Sequence, residues 1–255
     1  MQSLKDKTIF ITGATAGFGH AFALRFAKEG ARIVATGRRE DRLNDLKKKL
    51  KSGVHTITLD VRDGKAVNKA IASLPPGFKD IDVLINNAGL ALGMERAPGT
   101  SLADWEQMID TNIKGVLYCT DALLPRMVKR SRGHIVNLGS VAGTYPYPGG
   151  NVYGATKAFL KQFSLNLRAD LLGTDIRVTN IEPGMAETEF SVVRFAGDAA
   201  KARAVYESTR ALTAEDIAET VLFCLARPAH VNVNAIEVMS IDQAFSPFAV
   251  HRKKR

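Results

Sequence analysis

The sequence predicts a single α/β domain in which a doubly wound parallel β-sheet carries helices on both faces. Three observations lead there. Short β-branched runs alternate with longer amphipathic stretches, the turn after the first run is rich in glycine, and no linker or composition break divides the 255 residues. Strands joined by crossover-length helices pair in parallel, and a parallel sheet needs a helix layer on each face.

The elements follow in order. Thr8 to Thr12 reads as the first strand, a helix-like stretch from Gly19 to Glu29 comes next, and Ala31 to Thr36 is the second strand. A charged helix over Glu40 to Leu50 and a strand over Val54 to Leu59 complete a βαβαβ rhythm. The rhythm continues with a strand at Ile81 to Ile85, a helical region from about Ser101 to Arg130 and a strand at His134 to Leu138. A helix from about Tyr153 to Leu172, a strand at Ile176 to Ile181, a helix near Ala214 to Ala226 and a last strand around Ile236 to Met239 close the fold. The interval 187–212 reads as loop and short helix instead. It follows a strand end, where open α/β sheets bind ligands, and is the expected substrate lid.

Composition bounds the partners. With 45% hydrophobic and 24% charged residues the chain buries a core and is not of the disordered class. The start has no apolar leader core and every hydrophobic run is too short to cross a bilayer, so a cytoplasmic protein without a membrane partner is expected. Cys119 and Cys224 lie in separate apolar stretches and read as buried thiols; no ligand-spaced cluster predicts a metal. Four of the nine net positive charges sit in the tail 252–255 (Arg252, Lys253, Lys254, Arg255), which reads as solvated rather than as a nucleic-acid arm.

The first turn, Thr12-Gly-Ala-Thr-Ala-Gly-Phe-Gly19, runs into a helix. Its glycines let the backbone approach a pyrophosphate that rests on the unpaired N–H groups of the helix start, which marks a dinucleotide site of the Rossmann type. Gly13, Thr15, Ala16, Gly17, Phe18 and Gly19 are the expected contacts. Where an acid would hold the ribose hydroxyls of NAD, the second strand ends in Gly37-Arg38-Arg39. Guanidinium groups at Arg38 and Arg39 meet a 2′-phosphate with charge-assisted hydrogen bonds, so NADP(H) is the expected cofactor.

Tyr153 and Lys157 lie four residues apart at a helix start and share one face. A free phenol titrates near ~10, too high for acid–base work at neutrality. A cation about 4 Å away contributes roughly 4 kcal/mol at an effective dielectric of ~20, or about three pKa units.

Together these motifs resemble the short-chain dehydrogenase/reductase family over nearly the whole chain. The resemblance implies that Asp60 and Val61 touch the adenine, that Asn87, Ala88 and Gly89 of the Asn-Asn-Ala-Gly segment line the cofactor, and that Pro183, Gly184 and Thr188 contact its nicotinamide end. It implies that Asn112 organises a proton-relay water, that Ser140 orients the substrate oxygen, that Tyr153 is the acid or base, and that Lys157 lowers its pKa and binds the nicotinamide ribose. A homotetramer is implied as well. Asn86 to Met94, Pro146 to Tyr153, Ile181 to Gly184 and Pro228 to Asn234 further resemble the NADP-dependent 3-hydroxy acid dehydrogenases, which include serine and L-allo-threonine dehydrogenases and malonic semialdehyde reductases. A small carboxylate-bearing substrate follows. Arg194 in the lid would meet the carboxylate and Gly150, after Gly149, would permit close approach, while Glu187 and Glu189 stand nearby as acids that repel an anion or face solvent. Two alternatives remain: reduction of another carbonyl (a 3-oxoacyl thioester, a sugar or a hydrophobic ketone), and a catalytically silent NADP-binding regulator.

Overall fold

A computed structural model describes residues 3–245 and 250. Seven parallel strands lie in the order β3-β2-β1-β4-β5-β6-β7. They are β1 (Thr8–Ile11), β2 (Arg32–Gly37), β3 (Val54–Thr58), β4 (Val83–Asn86), β5 (Gly133–Leu138), β6 (Ile176–Pro183) and β7 (Ala235–Val238). The order reverses between β1 and β4, so their carboxyl ends open a crevice at the switch point. The helices are α1 (Gly17–Lys28), α2 (Glu40–Leu50), α3 (Gly64–Ala72), α4 (Leu102–Ile109), α5 (Gly115–Lys129), α6 (Asn151–Asp170), α7 (Glu189–Arg194), α8 (Ala199–Ala204) and α9 (Ala214–Leu225).

Strand alternation sorts the core. Ile9 and Ile11 point to one face, where Phe22 and Phe26 of α1 and Ile217 and Val221 of α9 cover them. Phe10, between them, points to the other, against Val67 and Ile71 of α3 and Cys119, Leu123 and Met127 of α5. Both cysteines are buried and free, and burial raises the thiol of each.

Four departures from the expected elements have local causes. α1 starts at Gly17 and α6 at Asn151, each two residues early, because a glycine turn leads directly into the helix. α3 was not anticipated, although Asp63 caps it by accepting from the N–H of Lys65 and Ala66 and Val67, Ala70 and Ile71 form its buried stripe. The helical region 102–129 is interrupted by a π-turn over Asp110–Lys114. The interval 187–212 holds α7 and α8, and its ends are zipped together by Glu187 N–H to Leu212 O at 2.8 Å and Leu212 N–H to Met185 O at 3.0 Å. The basic tail 252–255 lies outside the described residues. Among those described, no helix is long and apolar enough to cross a membrane.

A buried polar chain fastens the sheet to the site-bearing helices. Asn86 of β4 donates to Thr120 Oγ1 of α5 at 3.2 Å and to Asn137 Oδ1 of β5 at 2.8 Å; Asn137 donates to Ser164 Oγ of α6 at 2.8 Å. Each buried partner left unmade costs about 1–3 kcal/mol. Asn137→Ala strands both neighbours and is expected to lower unfolding free energy by about 2–4 kcal/mol in urea titration, whereas Leu172→Ala, at an 80% exposed side chain, changes it by less than about 0.5 kcal/mol.

Candidate active site

The crevice is built first by a pin between the loops after β1 and β4. Thr12 Oγ1 donates to Ile85 O at 3.2 Å and accepts from the N–H groups of Asn87 and Ala88, both at 2.9 Å. Asn87 Nδ2 returns to the carbonyls of Thr12 and Gly13 at 2.8 and 3.2 Å. Gly13 takes φ +68° and Gly17 φ +50°, the left-handed region that glycine enters at little cost. Ala16 precedes α1 with no side-chain cap, so the N–H groups of the first turn keep their capacity for an anion. Gly19 serves differently from expectation. It does not line the cavity; a side chain there would collide with the Gly13 carbonyl and come within 2.6 Å of Asn87 Nδ2, so its role is close packing.

One cavity of about 520 Å³ runs from Arg38, Arg39, Asp60 and Val61 past Gly13, Thr15, Ala16, Gly17, Phe18, Asn87, Ala88 and Gly89. It continues to Ser140, Tyr153, Lys157, Pro183, Gly184, Thr188 and Arg194. At its first end Arg39 donates through Nε and Nη2 to Thr15 Oγ1 at 3.3 and 3.2 Å, and through Nη1 to Glu189 at 2.9 Å. Arg42 also reaches Glu189, at 3.3 Å. Asp60 pairs with Arg62 at 2.6 Å, and that hydrogen bonding holds its carboxyl below the usual range.

At the other end, α6 brings up Tyr153 and Lys157. Lys157 is 6% exposed; its Nζ donates to Leu138 O at 2.7 Å and lies 5.7 Å from the centre of the Tyr153 ring. Burial draws its pKa down to about 8. Burial pushes the Tyr153 phenol up to about 12; the Arg194 charge opposes this most, Tyr147 adds to it, and the Ser140 hydroxyl lowers it. The Arg194 charge, 5.0 Å from the ring centre, thus favours the phenolate from one side of Tyr153, and the Lys157 ammonium stands 5.7 Å from the same centre. The Arg194 guanidinium stacks 5.0 Å from the ring centres of both Tyr153 and Phe190 and donates to Tyr147 Oη at 3.1 Å. Its Nε is buried with no hydrogen-bond partner.

Two further expected residues stay outside the cavity. Asn112, in the π-turn, is 1% exposed. Its Oδ1 accepts from Leu90 N–H at 2.9 Å, and its Nδ2 donates to Leu90 O at 2.9 Å and to Thr156 Oγ1 at 3.0 Å. Gly150 is not in the wall either; the room its missing side chain leaves is filled by the Tyr147 ring, whose Cε1 stands 2.5 Å from where a Cβ would be. Residues that the sequence did not single out include Tyr147, Phe190 and Tyr206 in the wall. Tyr206 Oη meets Ser191 Oγ at 2.5 Å and Ala186 O at 2.9 Å, tying the lid to the strand end. Two aromatics in the lid and one beside Pro146 were the available signal.

These residues fit an NADP-type dinucleotide. Glycines with positive φ and the uncapped start of α1 suit a pyrophosphate, and arginines in place of a strand-end acid suit a 2′-phosphate. Comparison with known proteins agrees. The model of the short chain dehydrogenase family matches residues 7–198. The chain is 58% identical to the NADP-dependent 3-hydroxy acid dehydrogenase YdfG of Salmonella typhi, over 96% of this chain and 99% of that one. It is 52% identical to the serine 3-dehydrogenase of Agrobacterium fabrum, over 96% and 98%. A solved structure of the closed form of serine dehydrogenase complexed with NADP+ superposes with a TM-score of 0.93 at 54% identity, covering 96% of this chain and all of that one. The chain belongs to the short-chain dehydrogenase family.

Proposed function

We propose that the protein is an NADP(H)-dependent dehydrogenase of small 3-hydroxy acids such as serine, L-allo-threonine or 3-hydroxypropionate. The observation that carries this is the Arg194 guanidinium, laid over the Tyr153 phenol in the same cavity as the dinucleotide-type loop and holding a buried N–H without a partner. A carboxylate two carbons from a reacting hydroxyl meets both needs at once: its oxygens accept from the guanidinium while its hydroxyl faces the phenol.

Bound NADP(H) supplies the hydride donor or acceptor. The remaining work falls to side chains. Gly13, Thr15, Ala16, Gly17 and Phe18 form the pyrophosphate turn, Arg38 and Arg39 take the 2′-phosphate, and Asp60 and Val61 flank the adenine. Asn87, Ala88, Gly89, Pro183, Gly184 and Thr188 line the nicotinamide half.

Ser140 orients the substrate oxygen and Tyr153 exchanges a proton with it. Burial keeps the phenol protonated at neutral pH, which suits donation in the reductive direction. In the oxidative direction the neighbouring cations favour the phenolate. Lys157 would hold the nicotinamide ribose. Asn112 is placed to hold Leu90 and Thr156 around the phenol, with its expected relay water as part of the same role.

We place the protein in the cytoplasm, and infer a homotetramer in which exposed apolar side chains such as Leu117 of α5 and Leu165 of α6 are covered. Gel filtration gives the oligomeric state.

The reading is tested by initial rates on L-serine, L-allo-threonine, 3-hydroxypropionate and an uncharged alcohol, with NADP and NAD in parallel. Activity confined to uncharged alcohols would overturn it. Arg194→Gln is expected to raise KM for the hydroxy acids by roughly tenfold or more and leave the uncharged alcohol little changed, since a charged hydrogen bond is worth about 1.5–3 kcal/mol. Tyr153→Phe is expected to lower kcat by ~10²–10⁴-fold while NADPH fluorescence titration shows binding retained.

Lys157 gives a stability signature. Its folded pKa of about 8 lies below the unfolded 10.5, so the unfolded chain binds more protons between those values and stability rises with pH across that window. Relative to Lys157→Met, the wild type is expected to gain up to about 3 kcal/mol in urea titration as pH rises from 8 to 10.5.

A further inference from the structure

We propose that Glu189 is a carboxylate latch that occupies Arg39, one of the two guanidinium groups meant for the cofactor's 2′-phosphate, together with the nearby Arg42, and is displaced by that phosphate, so that this lid residue helps set the preference between NADP(H) and NAD(H). The inference rests on the NADP(H) reading above and concerns the opposite end of the cavity from the reacting atoms.

The six-residue helix α7 is anchored at both ends. At its start the Glu189 carboxylate pairs with Arg39 Nη1 at 2.9 Å and Arg42 Nη1 at 3.3 Å. At its end the Arg194 carbonyl accepts from Gly93 N–H at 3.0 Å. The first anchor joins parts of the chain 150 and 147 residues apart, and it lands on the arginine at the end of β2. Arg39 is meanwhile fixed on the glycine turn through Thr15 Oγ1. Its guanidinium is therefore already positioned, and the carboxylate stands where the acceptor oxygens of a phosphate would stand.

The chemistry makes the two ligands exclusive. A phosphate monoester carries about −1.5 to −2 charge near neutrality and three acceptor oxygens, against one charge and two oxygens for the carboxylate. Like charges that close repel, so the phosphate takes the guanidinium groups and Glu189 leaves. The free ribose hydroxyls of NAD(H) have no charge with which to displace it. Binding of NADP(H) thus includes the work of releasing the latch, and binding of NAD(H) does not.

The test is fluorescence titration of NADPH and NADH with wild type and Glu189→Gln, without substrate. Exposed ion pairs of this kind correspond to about two- to fivefold in affinity. Glu189→Gln is expected to bind NADPH about two- to fivefold more tightly and NADH unchanged. Trypsin cleavage at Lys201 and Arg203 in the lid gives a second readout. In wild type 2′,5′-ADP is expected to speed it and 5′-AMP to leave it unchanged, whereas the variant is cut faster from the outset.

Unchanged or weaker NADPH binding in the variant, an equal gain for NADH, or cleavage indifferent to 2′,5′-ADP would overturn the latch. A wild type that binds NADH as tightly as NADPH would overturn the cofactor reading itself, and the latch with it; a wild type that prefers NADPH beside an unresponsive variant sinks the latch alone.

Discussion

A lysine ammonium held almost entirely out of water, donating to a backbone carbonyl, is the most expensive group in the site, and the surrounding structure is arranged to keep it there. The carbonyl belongs to Leu138, the last residue of β5, so Lys157 stays in place only while α6 and β5 keep their relative position. The chain of Asn86, Asn137 and Ser164 fixes that position from below, and the network of Asn112, Leu90 and Thr156 fixes it from the side. Of these two networks only Leu90 reaches the cavity wall. Both convert what would be a sliding contact between helix and sheet into a single register, because each buried amide has only one arrangement in which its hydrogen bonds are made.

The two ends of the cavity use charge in different ways. At the phenol end, burial dominates: it moves Tyr153 up and Lys157 down, and the Arg194 guanidinium acts through short distance and aromatic stacking. At the arginine end the groups are near water, where attraction is weak and salt screens it. The lid spans both environments on one short helix. Its Arg194 end is thereby held firmly and its Glu189 end exchangeably.

Much of this was legible in the sequence because the signals are local. The glycine turn, the Arg38-Arg39 pair and the Tyr153/Lys157 spacing each lie within a few residues, and the alternation of strand and helix sets the sheet order that brings them together. The identity of Arg194 as a cation of the cavity was readable from its place after a strand end, but its stacking over Tyr153, forty-one residues away, was not. The same holds for Glu189, whose partners lie on the far side of the sequence. Gly19 and Gly150 were read as ligand contacts because glycine admits either a ligand or a neighbouring group, and only the packed structure shows Gly13 and Tyr147 in the space. The helix over 64–72 was legible too, in the Asp63 cap and the Val67, Ala70 and Ile71 stripe, but at nine residues it is short enough to pass for part of the connection between two strands.

The π-turn at Asp110–Lys114 has a consequence in helical phase. Met108 and Cys119 are eleven residues apart, three full turns of an uninterrupted α-helix, and would then lie on one face. The extra residue that a π-turn takes up rotates everything after it by about 100°. Met108 accordingly faces Leu90, Ala91 and Tyr153, whereas Cys119 turns into the sheet beside Phe10 and Leu84. One continuous rod thus serves two cores, and the residue at the joint is Asn112. A single-residue insertion or deletion in this turn would not be absorbed as slack. It would turn the rod and drive the wrong stripe into one core or the other.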